Sequence, residues 1–232
     1  MMKKIMFFVV AMLPIVFASC EKHETHEDFE FAAVDIGLSV KWANANLGAT
    51  SPEDYGDYYA WGETETKADY SWKKYKWCKG SLTSLSKYNT NPEFGTVDNN
   101  IELDPEDDVA RVKLGGSWRM PTAEEIDELV STKGNPAYRW EMKVDEDDDL
   151  LGWTVTYLVN GNSIFLPEAC SKYETVMVSG NRFWSSSIDT DPYMAYSLNE
   201  YAQGFNTDHS TNYFRLTMNE RCEGLPVRAV CD

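Results

Sequence analysis

Trp153-Thr154-Val155-Thr156-Tyr157-Leu158-Val159-Asn160-Gly161-Asn162-Ser163-Ile164-Phe165-Leu166 is the stretch on which the fold reading turns. Trp153, Val155, Tyr157 and Val159 alternate with Thr154, Thr156 and Leu158. That is the period of two that sends successive side chains to opposite faces of a strand. Asn160-Gly161 then interrupts the pattern before 163–166, and the pair predicts a hairpin closed by a two-residue type I′ turn. Upstream, Pro121-Thr122-Ala123-Glu124-Glu125 opens a helix. Thr122 with Glu125 three residues on forms a capping box, Ile126, Leu129 and Val130 supply the apolar face, and Gly134 and Pro136 stop it. Residues 34–42 read as a first strand with a tight turn or bulge at Gly37 and Ser39. Apolar runs at 182–187, 194–198, 213–218 and 226–230 read as further short strands. Sheet with a segregated helix is the α+β class.

The N-terminus carries a different message. Lys3 and Lys4 precede an apolar run at 5–17, and Ala18-Ser19 stand before Cys20, the three parts of a secretory signal. The run is too short to span a bilayer. Small residues directly before a cysteine resemble a lipobox, so the sequence predicts cleavage after residue 19 and acylation of Cys20. Residues 1–19 are then the signal peptide, 20–30 an acidic tether and 31–232 one domain, since no linker, repeat or low-complexity tract divides it. The tether carries five acids and two histidines over 21–30, too polar to bury a core.

Charge excludes one class of partner. The chain carries a net charge of −17; two lysines and no acids leave with the leader, so −17 becomes −19. Nucleic acid is excluded by that sign. An anionic lipid surface is repelled too, so membrane attachment falls to the acyl chains. The expected location is the outer membrane, lipid-anchored and surface-exposed. An oxidising compartment permits two disulfides among Cys78, Cys170, Cys222 and Cys231 in any of three pairings, and free buried thiols are the alternative.

Catalytic templates are missing from the sequence. It contains no GxSxG, HExxH, GxxxxGK[ST] or GxGxxG. His209 is the one histidine beyond the tether, so a histidine-rich zinc site cannot form inside the domain. The reading is that the protein is not an enzyme and needs no cofactor. Asp98, Asn100, Glu102 and Asp104 alternate oxygen ligands that suit a structural calcium, although the glycine of an EF-hand loop is missing and a solvated charge run is the ordinary explanation.

Aromatic residues make up 13% of this acidic chain, enough to ask where they go. Trp42, Trp61, Trp118 and Trp184 stand among apolar or glycine neighbours and read as core. Tyr193, Tyr196, Tyr201, Phe205 and Tyr213 lie instead in a segment rich in Asn, Asp, Ser and Thr, with Asn206, Asp208 and His209 among them. That mixture suits a contact surface, because aromatic rings give rigid area and short polar side chains give adaptable hydrogen bonds.

Six strings occur in order: Val34-Asp35-Ile36-Gly37-Leu38-Ser39-Val40-Lys41-Trp42, Tyr58-Tyr59-Ala60-Trp61-Gly62-Glu63, Gly115-Gly116-Ser117-Trp118-Arg119-Met120-Pro121-Thr122, Gly161-Asn162-Ser163-Ile164-Phe165-Leu166-Pro167, Phe183-Trp184-Ser185-Ser186-Ser187 and Pro226-Val227-Arg228-Ala229-Val230. Together they resemble the Fibrobacter succinogenes major paralogous domain family across 31–232. The resemblance implies a C-type-lectin-like fold of the formylglycine-generating-enzyme subtype: a small twisted antiparallel sheet, one or two helices, and long loops that carry function. It also implies a surface lipoprotein that binds or adheres. The lectin strings Glu-Pro-Asn, Gln-Pro-Asp and Trp-Asn-Asp do not occur, so calcium-dependent sugar binding is not carried over. Nor do the motifs supply a reactive cysteine pair.

The motif residues themselves read as scaffold. Gly115 and Gly116 provide positive φ or close backbone approach, Arg119 and Arg228 brace carboxylates, and Trp118 and Trp184 fill the interior. The expectation is therefore a binding or adhesion module that meets a glycan or protein through 187–224. An envelope structural or fimbria-like subunit is the alternative, and a glycan-active enzyme comes third.

Overall fold

A computed structural model describes residues 29–178, 180–201 and 213–232. The architecture is α+β and sheet-rich. In chain order it comprises β1 (Ala33–Val34), β2 (Lys41–Ala43), β3 (Tyr59–Ala60), α1 (Val109–Leu114), α2 (Ala123–Ser131), β4 (Tyr138–Val144), β5 (Leu150–Tyr157) and β6 (Ser163–Pro167). Then come β7 (Ser171–Tyr173), β8 (Val176–Val178), β9 (Arg182–Ile188), β10 (Met194–Tyr201), β11 (Tyr213–Glu220), β12 (Gly224–Leu225) and β13 (Val230–Cys231). Among the described residues the strands form antiparallel sheets in the orders β1-β2-β13, β3-β12-β7-β8, β4-β5-β6 and β11-β10-β9.

The decisive hairpin forms, with a longer turn than expected. Thr156 faces Ser163 across β5 and β6. Beyond that pair Tyr157 N–H donates to Asn162 C=O at 2.9 Å, while Gly161 N–H donates to Tyr157 C=O at 2.9 Å. The loop is therefore four residues, 158–161. Gly161 has φ +80°, but Asn160 stays at negative φ, so the two consecutive positive angles of a type I′ turn do not arise. Tertiary contacts explain the extension. Leu158 N–H continues to Ala137 C=O at 2.8 Å, and the Asn160 and Asn162 carboxamides donate to Asp35 C=O at 3.0 and 2.9 Å.

Helix α2 follows its sequence signals. Thr122 Oγ1 accepts from Glu125 N–H and the Glu125 carboxylate accepts from Thr122 N–H, closing the box. Ile126 and Leu129 are buried, and they pack with Trp42, Trp153, Val155, Ile164, Leu166, Phe183, Leu198, Phe214 and Val230 in one core cluster. A second cluster gathers around Trp61, Trp184, Tyr59, Tyr88, Leu225 and Val227, and a third around Tyr58, Tyr70, Tyr75 and Cys222.

Three other expectations need correction. The 34–42 stretch is two strands rather than one: Asp35 Oδ1 accepts from Gly37 N–H at 2.8 Å, and this Asx-type turn folds β1 back toward β2. Likewise the 226–230 run is not one strand. Strand geometry ends at Leu225 and resumes at Val230, while the carbonyls of Val227 and Ala229 accept from Leu47 and Ala43. Trp118 is only half-buried, edge-on to Phe31 with centroids 5.3 Å apart, whereas Trp42, Trp61 and Trp184 are fully enclosed. Cys78, Cys170, Cys222 and Cys231 are free thiols here. Among the described residues no helix is long and apolar enough to cross a membrane.

Candidate functional site

The scaffold motif divides into what was foreseen and what was not. Gly115 and Gly116 have φ of +69° and +56° with no heavy atom near the position of a Cβ, so conformation rather than close approach requires glycine there. Gly115 caps α1 by donating to Arg111 C=O at 3.0 Å. Arg119 braces Glu125 through two parallel bonds of 2.7 and 2.6 Å, as expected of a planar guanidinium. Arg228 does not brace a carboxylate. It is wholly enclosed and donates to Asn46 Oδ1 (2.8 Å), Ala43 C=O (3.0 Å) and Phe165 C=O (2.7 Å). Burial pushes its guanidinium down to about 9, which still leaves it charged at neutral pH.

A second enclosed arginine has no counterpart in the sequence reading. Arg221 lies with Cζ 4.8 Å from the Trp61 ring and 5.3 Å from the Tyr75 ring. It donates to Tyr75 Oη and to the carbonyls of Tyr88, Pro192 and Lys87. Those partners come from scattered chain positions, so no local pattern announces them. Around the same region Asp107 is almost fully buried and meets Lys87 at 2.7 Å, Lys76 at 3.1 Å and Tyr88 Oη at 2.7 Å. Burial raises its carboxyl, but the bonds from Lys87, Tyr88 and Lys76 outweigh it and hold the group below its ordinary 3.8.

The expected contact residues fall into three groups. Tyr196 lines a groove of about 430 Å³ together with Ile101, Glu102, Glu124, Asp189 and Thr190. The groove is built where the end of β9 and the start of α2 meet the 101–104 loop. Glu102 bridges to Ser187, its carboxylate accepts from Ser186 Oγ at 2.8 Å, and Ser187 Oγ accepts from Ala123 N–H at 2.9 Å. A hydrogen bond to Asp189, reinforced by burial, raises the Tyr196 hydroxyl above its ordinary value. Asp189 is itself held by Thr190 Oγ1 and Asp191 N–H. None of the lining residues is basic.

Tyr193 belongs with packing rather than with that groove. It is half-buried, its ring lies 5.2 Å from Phe94, and its carbonyl accepts from Arg221 N–H. Tyr201 and Tyr213 are partners in the β10–β11 register, at the end where residues 202–212 join the two strands. Phe205, Asn206, Asp208 and His209 lie outside the described residues, as do Cys20 and the leader. Next to the Tyr201–Tyr213 end, the hairpin carries a buried polar ladder. Asn199 Nδ2 donates to Thr217 Oγ1 (2.6 Å) and Ser197 Oγ (2.7 Å), Ser197 Oγ donates to Asn219 Oδ1 (2.8 Å), and Asn219 Nδ2 donates to Glu223 (3.0 Å). Such a satisfied network fixes strand register more sharply than an apolar face does.

The calcium candidates are not brought together. Asp98 accepts from the amides of Tyr88, Asn89 and Asn100. Burial raises its carboxyl, and those three bonds reverse the shift to a net lowering. Glu102 turns to Ser186, and Asp104 pairs with Lys87 at 2.6 Å. Among the described residues no group of three or more His, Cys, Asp or Glu side chains gathers as a metal would require.

No protein-family model matches the chain, and comparison with curated proteins and with solved structures gives no match. Fold and site together therefore define an α+β, sheet-rich domain with a tyrosine-lined acidic groove.

Proposed function

We propose that this chain is a cell-surface binding or adhesion module, lipid-anchored at Cys20 in the outer membrane, that recognises a glycan or protein through its C-terminal half. The single observation that carries the reading is the Tyr196 groove, a concavity pairing one amphipathic ring with the polar groups of Asp189, Thr190, Glu102 and Glu124. Concave sites with a few convergent polar groups are where ligands bind. A groove without basic residues disfavours anionic ligands, so a neutral or cationic surface is the better fit. The six ordered motifs, with sheets, two helices and long loops, support a C-type-lectin-like framework behind it. Structural calcium stays a proposal that the array below addresses.

The test is a glycan and host-protein array probed with residues 21–232, with and without calcium. A ligand should appear, and Tyr196→Ala should weaken it about tenfold, as loss of an aromatic anchor does, without lowering the melting temperature. Unchanged affinity, or a collapse in stability, would reject the groove as the contact face. For the anchor, Cys20→Ala should release the protein from membrane fractions, and unaltered partitioning would reject it.

A structural or assembly subunit is the second reading, and one observation favours it. β8 forms one edge of its sheet and leaves Val176, Met177 and Val178 exposed at 61%, 48% and 36%. Enzymatic turnover ranks third. As a glycan-active enzyme it would need two carboxylates facing across a cleft for glycoside hydrolysis, whereas Glu102, Glu124 and Asp189 serve binding in this reading.

A further inference from the structure

Away from the Tyr196 groove, a second cavity of about 460 Å³ opens beside the β7–β8 turn. Trp72 and Tyr173 give it aromatic walls, and Asp69, Ser71, Lys73 and Glu174 give it polar ones. Its geometry is held from several sides. Trp72 Nε1 donates to Glu220 Oε2 at 3.0 Å and its ring stands edge-on to Tyr75 at 5.5 Å, so the indole cannot swing. Glu174 has φ +52°, an angle that costs energy for a residue with a Cβ. It is kept there by reciprocal backbone bonds with Tyr70, of 2.8 and 3.0 Å. Tyr173 stays 39% exposed.

Two wall residues carry unsatisfied chemistry. Asp69 Oδ1 and Ser71 Oγ are enclosed, yet neither has a hydrogen-bond partner among the described residues. Enclosed polar atoms are nearly always paired, and these two belong to residues lining one cavity, where a ligand hydroxyl or a water can supply the partner.

From this we infer that the Trp72–Tyr173 cavity is a second binding site, and that its ligand is a neutral pyranose sugar. A pyranose presents C–H groups on its face and hydroxyls at its rim. The rings of Trp72 and Tyr173 suit the face. The Asp69 carboxylate accepts from a hydroxyl, and the Ser71 hydroxyl both donates and accepts. Charge selects against an anionic sugar, because Asp69 and Glu174 outnumber Lys73 in the lining. The volume lies in the range of small-ligand sites. The site lies outside 187–224, so it stands whether or not the Tyr196 groove binds anything.

The experiment uses the methyl glycosides of glucose, galactose and mannose, with glucuronic acid and glucosamine as charged arms. Binding is followed by saturation-transfer NMR and by tryptophan fluorescence. At least one neutral glycoside should bind with Kd on the order of 1 mM. Asp69→Ala and Ser71→Ala should each weaken it about tenfold or more, the usual effect of losing one strong hydrogen bond. Because each substitution removes an unpaired atom, the melting temperature should hold or rise, and Tyr196→Ala should leave glycoside affinity unchanged. The inference fails if no neutral glycoside binds, if only a charged sugar does, if Asp69→Ala keeps full affinity, or if Asp69→Ala lowers the melting temperature.

Discussion

Three arginines show how differently one residue type is used. Arg119 meets a carboxylate three residues into the following helix, and that relation is visible in Arg119-Met120-Pro121-Thr122 followed by Glu125. Arg228 and Arg221 satisfy themselves on carbonyls and amide oxygens from distant segments, which no spacing rule encodes. Asp107 is equally illegible, because Lys76 and Lys87 approach it only through the tertiary fold. It also yields a prediction with a definite sign. Its folded carboxyl stands below the ordinary 3.8, so its contribution is present above that value and is lost as pH falls through the still lower folded one. Asp107→Asn should therefore cost about 1 kcal/mol at pH 7, since Lys76 and Lys87 keep part of their surface in water and Lys87 retains Asp104. Urea unfolding at pH 7 and again near pH 3 should show the gap narrowing; a pH-independent gap would mean the charge contributes nothing.

At the level of elements, α2 is where local sequence and structure agree most closely. Both halves of its capping box are made, so Thr122→Ala should destabilise the domain by about 1 kcal/mol, measured by denaturant midpoint at constant slope. A neutral result would show that the Arg119–Glu125 pair suffices to start the helix. Other elements escaped. Six-residue α1 is too short for an apolar period to register, although Asp108, which accepts from Ala110 and Arg111 N–H, marks its start. β4 carries a legible period of two: Tyr138, Trp140 and Met142 alternate with Arg139, Glu141 and Lys143, and Trp140 packs against the core. The hairpin turn departs from the type its Asn-Gly pair predicts because Asp35, more than a hundred residues away, takes both asparagine carboxamides. Of the contact residues, Tyr196 reached a groove and Tyr193 did not. Their local sequences give no means of telling them apart, since Phe94 and Asp189 decide the matter.

On the scale of the whole molecule, the two leading readings differ over β8. An exposed apolar edge recruits a second strand unless something blunts it. As a binding module, the protein should sediment as a monomer across concentration, and Met177→Lys should change nothing. Self-association that rises with concentration and vanishes in Met177→Lys would put the assembly reading first.

The pairing of β2 with both β1 and β13 bears on how the chain acquires its shape. Lys41 and Trp42 wait for Cys231 and Val230, and Arg119 shares Val230 with them. The seam that completes the interior thus joins the beginning of the domain to its last residues, and contacts so remote in sequence form slowly. During synthesis β2 lacks this partner until residues 230–231 have been made, so the interior closes by latching two distant segments together rather than by growing outward from one of them.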